Sequence, residues 1–171
     1  MKTVLLVIDI QNLLVDSEPY AIEERVSLWQ ETIAACRQKG LEVIYVRHND
    51  EEFIPQTQGW EISRLVAPSE QEKIFDKHYN SAFKDTGLHA YLQQEGVGRL
   101  ILIGMSTNYC IDATVKVAFE LGYEVAVVEH GTTTFADPDI AADILIDYHE
   151  IIWDQCFAQV DDLETILKGN L

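Results

Sequence analysis

Basic side chains are scarce: 12 Lys and Arg stand against 29 Asp and Glu, for a formal charge of −17. A field of that sign repels phosphate backbones and anionic lipid, which argues against nonspecific nucleic-acid binding and a polybasic membrane patch. Long apolar runs are missing as well. The opening run Val4-Leu5-Leu6-Val7-Ile8 stops at Asp9, well short of the ~18 residues a membrane span needs and without the small-residue cleavage site of a secretory leader. There are three cysteines, Cys36, Cys110 and Cys156, too widely separated for a disulfide framework or a paired metal-ligand motif. No glycine-rich phosphate loop follows a strand; Gly96-Val97-Gly98 precedes one. The expectation is a cytoplasmic chain with neither nucleic acid nor membrane as a partner.

What is present is a rhythm. With 171 residues, 47% of them hydrophobic, the chain suits one domain over 1–171. Strands are predicted over Thr3–Ile8, Leu41–Val46, Lys73–Phe75, Arg99–Ile103, Tyr123–Val128 and Glu150–Trp153. Helices are predicted over Ala21–Lys39 (with Ile22, Val26, Trp29, Ile33 and Cys36 on one stripe), Thr86–Glu95, Asn108–Leu121, Asp137–Asp147 with Pro138 in its first turn, and Val160–Lys168. His48 to Glu72 breaks the rhythm and reads as a long covering loop with one helical turn. Strands alternating with helices imply an α/β fold, a three-layer α/β/α Rossmann-like arrangement around a mostly parallel six-stranded sheet.

Such sheets bind ligands beyond the carboxyl ends of their strands. The polar groups at those places are Asp9 and Gln11, His48 and Asp50, Lys77, Cys110, and His130 with Thr132 to Thr134. Cys110 follows a buried strand and opens a helix that Thr107 or Asn108 would cap; the helix dipole there would favour the thiolate. Alone, Cys110 also reads as a small buried residue, Asp9 as a turn cap, and Lys77 as a solvated charge. Together, the ends of the first, third and fourth strands can bring an acid, a cation and a thiol to one place. Cys36 and Cys156 read as packing residues, and His89, His130 and His149 carry no signal.

Three ordered pieces carry a resemblance: Leu6-Val7-Ile8-Asp9-Ile10-Gln11, Lys77-His78-Tyr79-Asn80-Ser81-Ala82-Phe83, and Gly104-Met105-Ser106-Thr107-Asn108-Tyr109-Cys110 followed by Asp112-Ala113-Thr114 and Gly122-Tyr123. Nearly the whole chain resembles the isochorismatase-like cysteine hydrolases, which include nicotinamidases and carbamoyl amidohydrolases. That resemblance implies a catalytic triad of Asp9, Lys77 and Cys110 acting on a small-molecule amide, carbamoyl or ureido compound. It also implies an oxyanion hole of backbone N–H groups at Ser106 and Cys110 around a cis Met105-Ser106 peptide.

Departures from the family pattern narrow the expectation. Nicotinamidases usually carry a metal on an Asp-x-His pair after the second strand, whereas here the order is His48-Asn49-Asp50; no metal and no cofactor are expected. Leu14 stands where an aromatic pocket wall is common, so Gln11, Leu14, His48, Trp60, Phe83 and Tyr109 become the candidate substrate contacts. A homo-oligomer, dimer or tetramer, is expected. The competing reading keeps the fold and makes the chain a noncatalytic binding or thiol redox-sensing protein.

Overall fold

The computed structural model describes residues 1–169. In chain order it runs β1 (Lys2–Ile8), α1 (Asn12–Val15), α2 (Ile22–Gln38), β2 (Glu42–His48), a 3-10 turn at Arg64–Val66 and β3 (Lys73–Lys77). The second half is α3 (Leu88–Gln94), β4 (Val97–Met105), a π-helical turn at Thr107–Ile111 entering α4 (Asp112–Glu120), β5 (Glu124–Thr133), α5 (Ala142–Cys156), β6 (Gln159–Asp161) and α6 (Leu163–Lys168). The six strands lie in the order β3-β2-β1-β4-β5-β6, and every neighbouring pair is parallel. The sheet reverses direction of growth between β1 and β4, and the crevice beyond that switch is where this topology builds its sites.

Period-2 alternation sends successive side chains of β1 to opposite faces. Val4, Leu6 and Ile8 join Leu100, Leu102, Val127 and Trp153 in one core. Leu5 and Val7 join Tyr45, Ile101, Trp29, Ile33 and Cys36 in the other. Both faces are covered, which explains why the strands read as continuous apolar runs. β1 and β4 approach closely at their carboxyl ends because Gly104 carries no side chain: a Cβ there would lie 2.1 Å from the Ile8 carbonyl oxygen, and its φ of 131° also suits glycine.

The last third departs from expectation. Glu150–Trp153 is not a strand but about one turn in the second half of α5: Ala142, Leu145, Ile146, Glu150 and Trp153 are its buried residues, so the short apolar run continues a 3.6-residue period. The sixth strand is Gln159–Asp161, where the terminal helix was expected to begin, and α6 starts only at Leu163 under an Asp162 cap. Pro138 sits in a closed turn between Asp137 and Ile140, and α5 begins at Ala142. β5 is longer than expected, running past an irregularity so that Thr132 and Thr133 pair with Gly104 and Met105. The Thr132–Thr134 segment is therefore largely strand.

Candidate active site

Asp9 follows β1 with φ of 52°, and its N–H is held by the Val46 carbonyl of the neighbouring strand. Lys77 ends β3, beside His48 in register at the end of β2. Cys110 lies in the π-helical turn after β4, which the Met105–Ser106 peptide, cis in this structure, precedes. Three strand ends thus deliver three side chains to one point.

Lys77 is the hub and is fully buried. Its Nζ lies 2.8 Å from Asp9 Oδ2, 2.8 Å from His48 Nδ1, 3.1 Å from the Tyr79 carbonyl and 3.1 Å from Cys110 Sγ. Asp9 is 1% exposed, and its second oxygen, Oδ1, is buried with no hydrogen-bonding nitrogen or oxygen beside it. Such an orphan costs free energy unless a partner arrives. Burial pushes the Cys110 thiol up to about 12, the Asp9 carboxylate adds to the rise, and Lys77 opposes it. Burial and the Asp9 charge thus work against the thiolate that the helix dipole and Lys77 would favour.

The other expected residues divide. His48 is at the centre of the cluster. Gln11 is fully buried and committed to the backbone: its Nε2 donates to the carbonyls of His48 and Trp60, and its Oε1 accepts from the His48 N–H. Leu14 packs on the opposite core, against the α2 side of the sheet. Phe83 is buried, stacked 6.0 Å from Tyr123. Trp60 donates from Nε1 to Asn49 Oδ1 and lies 3.5 Å under the Arg47 guanidinium, anchoring its loop. Tyr109, 56% exposed beside the thiol, is at the rim. Thr107 and Asn108 do not cap a helix; they bond to Thr132 and Thr134 and stitch the π-helical turn that carries Cys110 to the end of β5. Cys36 packs as expected, but Cys156 is exposed at the end of α5.

One residue, Asn80, escaped the sequence reading, and Asp50, expected beside His48 after the second strand, is tied to it and to its own loop. Asn80 Oδ1 lies 4.0 Å from Cys110 Sγ; it stands within the Lys77 motif, and its proximity to Lys77 was the only available signal. Asp50 accepts from His48 Nε2 at 3.0 Å while its Oδ1 accepts the N–H groups of Glu52 and Phe53.

Asp9, His48 and Cys110 bring ligand atoms within 4.8 Å of one another, a spacing that could hold a metal ion. The donors do not fit one. The Lys77 ammonium lies within 3.1 Å of each of the three, taking the cationic place, and His48 has turned its other nitrogen to Asp50.

A Rossmann-ordered sheet with a buried acid, cation and thiol at its switch point defines a class of α/β hydrolase. The chain belongs to the isochorismatase family: the isochorismatase domain profile matches residues 3–162. It is 39% identical over 142 residues to the uncharacterized isochorismatase family protein YddQ of Bacillus subtilis, covering 78% of this chain and 79% of that one. It is 32% identical over 146 residues to a streptothricin hydrolase of Streptomyces noursei, covering 80% of this chain and 52% of the other. Its fold matches the N-carbamoylsarcosine amidase of Thermoplasma acidophilum with a TM-score of 0.78 at 25% identity, over 95% of this chain and 97% of that one. It is thus an isochorismatase-like hydrolase, and no helix among the described residues is long and apolar enough to cross a membrane.

Proposed function

We propose that the chain cleaves a C–N bond of a small amide, carbamoyl or ureido compound through an acyl-enzyme on Cys110, with Asp9 as the proton carrier and Lys77 as the charge partner. The observation that carries this is the single buried ammonium held between a carboxylate and a thiol, with one carboxylate oxygen unpartnered beside them. Burial raises the thiol's pKa, so Asp9 removes its proton as sulfur attacks the carbonyl carbon, and Lys77 stabilises the negative charge that develops on sulfur. The backbone N–H groups of Ser106 and Cys110 receive the oxyanion, a contribution worth ~2.7–4 kcal/mol per donor in comparable sites. Protonated Asp9 then gives its proton to the leaving nitrogen, and the C–N bond breaks. Water attacks the thioester with Asp9 as base, the acid departs, and the proton returns to sulfur.

The named activities of two relatives, a streptothricin hydrolase and an N-carbamoylsarcosine amidase, support hydrolysis at a C–N bond. Tyr109 at the rim and Asn80 beside sulfur are the residues placed to touch substrate. The redox-sensing alternative needs a readily ionised thiol, and a thiol pushed up to about 12 disfavours it. The same reading includes a cytoplasmic homo-oligomer, dimer or tetramer, for which Ile144, Tyr148 and Ile151, all more than half exposed on α5, provide apolar surface; light scattering checks it, and a monomer at micromolar concentration contradicts it. The chemistry is tested by ammonia or amine release from a panel of amide, carbamoyl and ureido compounds. Cys110→Ala should lower turnover on the order of 10⁴-fold or more, and trapping an acyl adduct on Cys110 by mass spectrometry should succeed only with wild type. Undiminished turnover in Cys110→Ala refutes the mechanism.

A further inference from the structure

Four acceptors surround the Lys77 ammonium, and an ammonium has three protons. Asp9 Oδ2, His48 Nδ1, the Tyr79 carbonyl and Cys110 Sγ all lie within 3.1 Å of Nζ. One acceptor must go without at any moment. Which one goes without is decided by the two that hold no mobile charge.

The His48 ring is fixed from both sides. An ammonium accepts no hydrogen bond, so Nδ1 offers its lone pair to Lys77 and the ring proton is on Nε2, where Asp50 Oδ2 accepts it. Burial, then the Lys77 charge, holds the imidazole below its ordinary pKa, so the ring is neutral. Asp50 is itself held by the N–H groups of Phe53 and Glu52, which keep its carboxylate charged against the cost of partial burial. The main chain of His48 is clasped independently through both its N–H and its carbonyl by Gln11. The charged or titratable groups facing the ring are Asp9, Lys77, Asp50 and the Cys110 thiol; the Phe53 ring covers it edge-on at 5.6 Å.

We infer that His48, locked by Asp50 in the tautomer with its proton on Nε2, is a positioning residue for Lys77: with the Tyr79 carbonyl it engages two of the three ammonium protons. The remaining proton is left to be shared between Asp9 and Cys110. This rests on the proposed triad chemistry and deepens it. While the thiol is intact, the shared N–H points to the Asp9 carboxylate. When the thiol proton passes to Asp9, the negative charge moves to sulfur, and the same N–H follows it. Without His48, a second proton of Lys77 is free to bond to Asp9, which favours the resting state over the thiolate.

Three variants test this, read by a reaction that needs no substrate: the rate of iodoacetamide alkylation of Cys110 at pH 9, followed by mass spectrometry of its peptide. His48→Asn places an amide oxygen where Nδ1 stands and keeps an acceptor. His48→Leu removes it. Asp50→Asn keeps the oxygen that accepts from Glu52 and Phe53 but donates toward Nε2, which drives the ring proton to Nδ1 and turns an N–H against the ammonium. His48→Leu and Asp50→Asn should alkylate about tenfold more slowly, as one pKa unit on the thiol requires, with His48→Asn within about threefold of wild type. Asp50→Asn should cost nothing further in the His48→Asn background. The inference is overturned if His48→Leu, folded by circular dichroism, alkylates at the wild-type rate, or if His48→Asn is as slow as His48→Leu. It is also overturned if hydrolysis falls while alkylation does not, because the ring would then touch substrate. Absence of any hydrolysis by wild type would refute the proposed function while leaving the alkylation comparison intact.

Discussion

Cys36 and Cys110 pack against opposite faces of one sheet, and burial pushes both thiols up to about 12. Burial alone does not tell them apart. Their neighbours differ: Cys36 is surrounded by the apolar stripe of α2 and the strands beneath it, whereas Cys110 has a buried carboxylate and a buried ammonium in contact range. The difference teaches why Cys110 and not Cys36 is the proposed nucleophile: its proton has a carboxylate to go to, and its charge an ammonium to meet.

The comparison can be broken at Asp9 first. Asp9→Asn keeps an acceptor for Lys77 but cannot take the proton, so kcat/KM should fall by about 10²–10⁴-fold, leaving Cys110 as inert as Cys36; steady-state kinetics on any substrate found for wild type measures it. Lys77→Met strikes the other side. It strands the buried Asp9 carboxylate, and losing one member of a buried ion pair costs about 3–5 kcal/mol, which urea unfolding should show along with loss of turnover. Cys36→Ala sharpens the contrast from the opposite face: it should cost roughly 1 kcal/mol as a small cavity and leave kcat/KM unchanged. The smallest effect is a pH slope. Folded His48 titrates below the unfolded imidazole value of about 6.5, so as pH falls through that value the unfolded chain takes up a proton that the folded chain does not. The melting temperature should decline on acidification through that window and be flat above it on this account, and His48→Asn should remove that part of the slope.

The parts of this molecule that were legible in its sequence are those where a local pattern and the topology demand the same thing. β1, β2 and β4 are buried on both faces and read as unbroken apolar runs. Asp9 and Cys110 stood out because each follows such a run, whereas Lys77 ends the short, mostly exposed β3 and was legible through the motif around it. Glu150–Trp153 misled because four apolar-rich residues do not fix a period; only Leu145 and Ile146, one turn earlier, show that the period is helical. β6 was hidden because Gln159 to Asp161 is short and half exposed at the sheet edge. Gln11 was placed in the pocket by its position after a strand, and Leu14 and Phe83 by the family's aromatic pocket wall, yet neither says which face a side chain takes. Asp50 was visible as a polar group after the second strand and as a reversed metal motif, but its partner was not. Its hydrogen bond to His48 depends on a loop that returns through Glu52 and Phe53 to the same carboxylate.

Gln11 has a consequence in polymer terms. Its side chain grips His48 at one end of the link between β2 and β3 and Trp60 partway along it, while its backbone bridges to Ile62. The first part of the long link, from His48 to Trp60, thereby becomes a shorter loop closed at both ends on one buried residue. Loop closure becomes only slowly costlier with length, ~0.6 kcal/mol per doubling, so the gain is less in stability than in geometry: the segment carrying Asp50 is tethered at both ends to the strand that carries Asp9.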